Sequence, residues 1–175
     1  MAAQRHLHKF TISLSHHLTP LDALFDQLRT ATVPAEIEAL QNGIWQLWLE
    51  TGDALLDKQL EAGMRALAAD DYTLAIHEFS AIIEARPAFA EGWNKRATAR
   101  YLRGEYRTSL LDIAETLRRE PRHFGALAGW ATILRMLGDD RGALHVLQRL
   151  ARICPHLPGL QSQLRDLQDR LGGQA

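Results

Sequence analysis

The chain has 175 residues, 46% of them hydrophobic and 23% charged, which suits one buried core or one short array of repeated units and excludes a wholly disordered chain. Its 20 Lys and Arg against 21 Asp and Glu leave a formal net charge of −1, so no global field draws in a polyanion or an anionic membrane. The single cysteine, Cys154, excludes an intrachain disulfide framework and a thiolate metal cluster within one chain.

Residues 1–19 read as a flexible tail. The stretch has basic residues but neither the apolar h-region nor the small-residue cleavage site of a secretory signal. His6, His8, His16 and His17 crowd it, yet carboxylate or thiolate support for a borderline metal is missing, and no metal site is expected. Residues 20–55 hold two flanking helices. Leu21, Leu24, Phe25 and Leu28 recur at i, i+3, i+4 and i+7, one face of an amphipathic helix. In PAEIEALQNGIWQLWLETG, Pro34 suits the first helical position and Gly52 the end, and Trp45 and Trp48 share a face. These two helices are expected to cover the exposed end of the first repeated unit, with a dimer interface on the two indoles as the alternative.

From residue 56 a fixed step governs the chain. Pro87, Pro121 and Pro155 lie 34 residues apart. Gly104 and Gly138 keep the same step, as do Tyr72 and Tyr106. Small residues recur at Ala75, Ser109 and Ala143 and at Gly63, Ala97 and Ala131, and apolar ones at Phe79, Ile113 and Leu147. Each unit reads as a helical hairpin. Ile76, Phe79, Ile82 and Ile83 stand at helical spacing before Pro87, which lacks the N–H to continue the ladder. Asp70, Gly104 or Gly138 falls where a left-handed residue must close the first helix. Small residues let paired helices approach closely. The units are 56–89, 90–123 and 124–157, followed by a capping helix in 158–175 with Leu160, Leu164, Leu167 and Leu171 in one stripe.

Within EGWNKRATARYLRGEY, residues 91–106, Lys95, Arg96, Arg100 and Arg103 sit among Trp93, Tyr101 and Tyr106. The register makes this architecture and not a nucleic-acid patch. In the register of the tetratricopeptide repeat, which the 34-residue step resembles, Arg96 and Arg100 would face neighbouring helices and should meet Glu78, Asp112 or Glu115, while Trp93 and Tyr106 are expected in the core and unavailable for base stacking. Asp70–Asp71 and Asp139–Asp140 stand at turns, where capping is the usual role of Asp.

Chemistry motifs for phosphate, dinucleotide, zinc-hydrolase or serine-hydrolase sites are absent. No nucleophile, base and orienter come together at any justified spacing, so no enzyme and no cofactor is expected. No apolar run approaches the roughly 20 residues that span a bilayer.

The 34-residue step, the small-residue series, the turn glycines and the closing prolines resemble the tetratricopeptide repeat, best in the unit with Trp93, Ala97, Gly104, Tyr106 and Pro121. Gln59 where Trp93 stands, Asp140 in place of the tyrosine and Asp70 in place of glycine depart from it. The resemblance implies an all-α, right-handed α-solenoid of three hairpins with flanking N-terminal helices and a C-terminal cap. It also implies a concave groove lined by first helices, here with Leu60, Met64 and Leu67, then Glu91, Asn94, Thr98, Tyr101 and Leu102, then Thr132, Arg135 and Met136. The expected function is non-catalytic binding of a peptide segment or helix of a partner protein, for which a surface rich in Met and Leu is adaptable. The alternative is an assembly or regulatory subunit, possible as a homo-dimer, acting through the terminal helices with Trp45 and Trp48. Neither nucleic acid nor membrane insertion is expected. The location is expected to be cytoplasmic, or periplasmic if the true start carries an export signal.

Overall fold

Three hairpin turns set the architecture, because each needs a residue that bears a left-handed backbone. Asp70, Gly104 and Gly138 take φ of 58°, 84° and 79°. The following amides at Asp71, Glu105 and Asp139 then donate back to the carbonyls of Ala66, Arg100 and Leu134, so each first helix ends with its last carbonyls satisfied. Asp71 and Asp139 cap the second helices by accepting from the amides of Leu74 and Gly142. Asp70 is the one non-glycine residue at positive φ among the described residues. Asp70→Gly is therefore expected to stabilise the protein by about 0.5 kcal/mol, and Gly104→Ala to destabilise it by about 1–2 kcal/mol. Urea denaturation checks both, and the opposite ranking would contradict the turn geometry.

The computed structural model describes residues 19–173, in which the chain forms nine helices and no strand. They are α1 (Pro20–Thr30), α2 (Pro34–Leu49), α3 (Ala54–Ala68), α4 (Tyr72–Ala85), α5 (Ala90–Leu102), α6 (Tyr106–Arg119), α7 (Phe124–Met136), α8 (Asp140–Ile153) and α9 (Leu160–Gly172). The hairpins α3–α4, α5–α6 and α7–α8 stack in order, and the expected all-α solenoid of helical hairpins is what the chain adopts. Close approach within a hairpin follows from the small residues: a Cβ added at Gly63 would lie 2.5 Å from the ring of Phe79, which is fully buried. Helix α9 lays Leu160, Leu164 and Leu167 into the same core as Leu147 and Leu150 of α8.

The N-terminal hairpin is not where the sequence suggested. Helix α1 packs on α8 and α2 on α5, so α1–α2 runs along the edge where repeats join instead of covering the first one. Phe25, Leu28, Ile37, Leu40, Ile44 and Trp48 belong to one core with the second and third hairpins and α9. The first hairpin keeps a separate cluster around Leu56, Leu60, Phe79 and Ile82, touched from α2 only by Leu49. The physical reason lies in α3. Its outward positions carry Lys58, Glu61 and Arg65, all exposed, where α5 has Gly92 and Ala99 turned toward the preceding hairpin. Glu61 and Arg65 pair at 3.6 Å. That end is already polar and leaves little apolar surface to cover. The hairpin is fixed by a Thr19–Asp22 capping box and by Arg122, whose guanidinium reaches Asp22 at 2.7 Å and lies over Phe25 at 4.3 Å. The Thr19 hydroxyl, and then Arg122, hold the Asp22 carboxyl below its usual range.

Candidate functional site

The arginines of α5 resolve into structure. Arg96 binds Asp112 with two nitrogens at 2.8 and 2.9 Å, and Arg100 reaches the same carboxylate at 2.7 Å. Asp112 is buried and bridges two guanidiniums between α5 and α6. Arg96 also donates to Ser80 of α4 at 3.0 Å, which links two repeats. Trp93 departs from its expected core place: it is half-buried, its indole donates to the Pro87 carbonyl at 3.0 Å, and the Arg96 and Arg119 guanidiniums lie over its ring at 5.0 and 4.4 Å. Tyr106, half-buried, does pack against the core, 5.8 Å from Tyr101. The turn before α5 leaves room for an indole at the repeat edge, and cations cover it in place of a core.

A buried polar cluster lies under α2. Glu91 is 1% exposed and His123 fully buried. The imidazole Nδ1 accepts the Ala126 amide at 3.1 Å, which leaves Nε2–H to donate to Glu91 Oε2 at 2.8 Å. Asn94 and Lys95 also reach the Glu91 carboxylate, at 3.2 Å each. Trp48 closes the cluster, stacked on His123 with centroids 4.1 Å apart and planes 8° from parallel. Trp45 meets His123 edge-on at 5.3 Å and Lys95 lies over its ring. Both nitrogens of His123 are spent and no nucleophile adjoins them. This carboxylate–imidazole pair therefore holds α5, α7 and α2 together. Cys154 is buried elsewhere, with its thiol pushed up to about 12 by burial, which makes it a poor nucleophile.

These contacts remove some residues from the expected groove. Leu60 is buried in the first hairpin's core. Glu91 is buried and bonded to His123, whereas Asn94, 6% exposed and tied to Glu91, still lines the hollow between α5 and α7. Helix α2 packs on α5 and covers the end of the groove at Glu91, which the family register does not anticipate. Trp48 is 8% exposed and so cannot anchor a second copy, while Trp45 is half-buried. The remaining positions stay accessible: Met64, Thr98, Leu102, Thr132 and Met136 are exposed, and Leu67, Tyr101 and Arg135 half-buried.

Three of these, Thr98, Tyr101 and Thr132, border a half-open hollow of about 160 Å³ between α5 and α7. Ala97, Gly125, Ala126 and Gly129 are small enough to leave it empty. Ile113 and Ile133 make its apolar wall, and Thr98, Tyr101 and Thr132 its polar rim. A second hollow continues along α7, lined by Thr132, Arg135, Met136 and Arg170 of α9. Nothing in the glycine pattern alone predicts these hollows. The first is lined by Gly125 and Gly129, whose missing side chains would point at Trp45 of α2 and Ile113 of α6 and which the 34-residue ruler does not mark. Among the described residues no group of three His, Cys, Asp or Glu is placed to hold a metal ion, and no helix is long and apolar enough to cross a membrane. The four tail histidines lie outside the described residues.

No family model matches the chain. A TPR repeat-containing protein of Rhizobium etli is 35% identical over 153 residues, covering 87% of this chain and 75% of the relative. Among solved structures, the Sgt2 TPR domain from Aspergillus fumigatus superposes with a TM-score of 0.62 at 17% identity, over 69% of this chain and 81% of that domain. The TPR2B domain of yeast Sti1, solved as a complex with pHsp70, superposes with a TM-score of 0.60 at 16% identity, over 66% of this chain and 97% of that one.

Proposed function

Since the chain belongs to the tetratricopeptide repeat family, we propose that it is a non-catalytic protein-interaction module that binds a segment of a partner protein in the concave groove between α5 and α7. The observation that carries this reading is the open hollow with Tyr101 on its rim. A cleft with an apolar wall, a few polar groups and an aromatic at the mouth is what a partner side chain needs to be buried and oriented. The Sti1 domain, described as a complex with pHsp70, gives the same fold a precedent as a binder. The assembly alternative through the terminal helices is less well supported, because Trp48 is consumed inside the chain.

Gly129 offers a clean block, since a Cβ there would meet only Ile113, at 3.7 Å, and a larger side chain would grow into the hollow. Quantitative capture from the source cells is expected to lose a specific partner with Gly129→Leu. Tyr101→Ala should weaken the same capture by about 2 kcal/mol, as truncation of an aromatic anchor does. His145→Ala, exposed on α8, should leave it unchanged. Circular dichroism must show intact helix in each variant. Full capture by both groove variants, with loss on Trp45→Ala, would replace the groove with the terminal-helix interface.

A further inference from the structure

The groove is chemically lopsided along α7. Thr132 belongs to both hollows, so the apolar one beside Gly129 and the one holding Arg135 are contiguous. Residues three or four apart on a helix stand about 5–6 Å from each other, which sets the spacing between an apolar seat at Gly129–Thr132 and a cation at Arg135. Most guanidiniums of the second repeat are held by a carboxylate: Arg96 and Arg100 share Asp112, Arg103 pairs with Glu105, and Arg118 and Arg119 share Glu115. Arg135 is half-buried and has no carboxylate within 4.0 Å among the described residues, and Arg170, across the same hollow, reaches Asp140 only at 4.0 Å. No carboxylate lines either hollow; Asp166 and Asp169 of α9 stand at exposed positions outside them. The wider field agrees. Residues 91–175 carry 14 Lys and Arg against 9 Asp and Glu, a formal +5, whereas residues 19–90 carry 4 against 12, a formal −8. Both hollows lie in the positive half, where a partner's negative charge is favoured on approach and on docking.

We infer that the groove selects a protein segment that seats one bulky apolar side chain between α5 and α7 and sets a side-chain carboxylate, one helical turn away, on Arg135. This rests on the groove reading above and adds the ligand's chemistry to it. The carboxylate is an internal Asp or Glu, not a chain terminus.

A random peptide library, displayed as N-terminal fusions on phage so that no peptide has a free C-terminus, is panned on the full chain and counter-selected on Gly129→Leu. Clones held by the wild type and lost on the blocked variant are expected to pair Leu, Met, Ile or Phe with Asp or Glu three to four residues away. The best synthetic peptide should lose about tenfold in affinity on Arg135→Ala, or when its acid becomes the amide, the size of one charge-assisted hydrogen bond. Arg135→Ala removes no internal partner, and circular dichroism confirms its fold. Clones sensitive to Gly129→Leu but without acidic enrichment, or enriched in Lys and Arg, overturn the inference and leave the groove reading standing. Clones indifferent to Gly129→Leu, or no enrichment at all, overturn both.

Discussion

Trp48→Ala is expected to lower the free energy of unfolding by about 3–5 kcal/mol, the range for truncating a large buried aromatic. The indole stacks on His123 at 4.1 Å and packs on Phe124 at 5.0 Å and Phe25 at 5.9 Å, so its removal unseats α2 from α7 and loosens α1 with it. The loss also reaches the polar cluster beneath. Glu91, with a fully buried side chain, would be opened to water on one side and its bonds to His123, Asn94 and Lys95 would compete with solvent. Trp48→Phe should cost far less, about 1 kcal/mol, because the ring stays and a donor is removed: the indole N–H is buried without an acceptor. Urea denaturation followed by far-ultraviolet circular dichroism measures both. Equal costs for the two variants, or a cost for Trp48→Ala below about 1 kcal/mol, would contradict the packing of α2 across the repeat edge. A concentration-dependent transition for the wild type would instead support the indoles as contacts between copies.

What the sequence made legible is what repeats every 34 residues. The second helices begin at Tyr72, Tyr106 and Asp140, and Asp70, Gly104 and Gly138 all take the left-handed backbone that the spacing requires. Both facts follow from local chemistry carried along the chain by a ruler. Asp112 was legible as one of three acids, with Glu78 and Glu115, that Arg96 and Arg100 could meet, and it binds both. What stayed hidden breaks the period. The union of Glu91 with His123 joins residues 32 apart, and its sealing by Trp48 depends on where a non-repeating hairpin docks. The equivalent of Glu91 in the first repeat, Asp57, is exposed and accepts a bond from Thr51. The same position thus serves two ends, and no family pattern says which. Trp45 and Trp48 stand on one face, but amphipathic spacing names a face and not the surface it meets, so the cover expected over the first repeat lies instead against the second and third. The groove residues divide for the same reason. Glu91 is withdrawn by His123 and Leu60 by its own hairpin's core, whereas Thr132 is exposed and Tyr101 and Arg135 are half-buried.

The largest effect is expected from removing α9. A stacked hairpin buries its apolar face only against its neighbours, so the last one depends on a closing helix with a polar outer side. In α9 the inner side is Leu160, Leu164 and Leu167, at 1%, 9% and 0% exposure, and the outer side is Gln161, Arg165, Asp166, Gln168 and Asp169, all exposed. Burying a leucine is worth about 1.5–3 kcal/mol, and truncation would also bare their neighbours Leu147 and Leu150 in α8. Ending the chain before Gly159 should therefore remove about 5 kcal/mol or more, comparable to the whole stability of a small domain. The truncated protein should melt far lower or aggregate through the uncovered face of α8. Leu167→Ala tests the same packing at full length and should cost about 2–5 kcal/mol, while Gln168→Ala on the outer side should stay within about 0.5 kcal/mol. Thermal melting and size-exclusion recovery measure all three. If the truncated chain kept the melting curve and solubility of the full one, α9 would not be a cap, and its leucine stripe would have to be explained as a surface held for another partner.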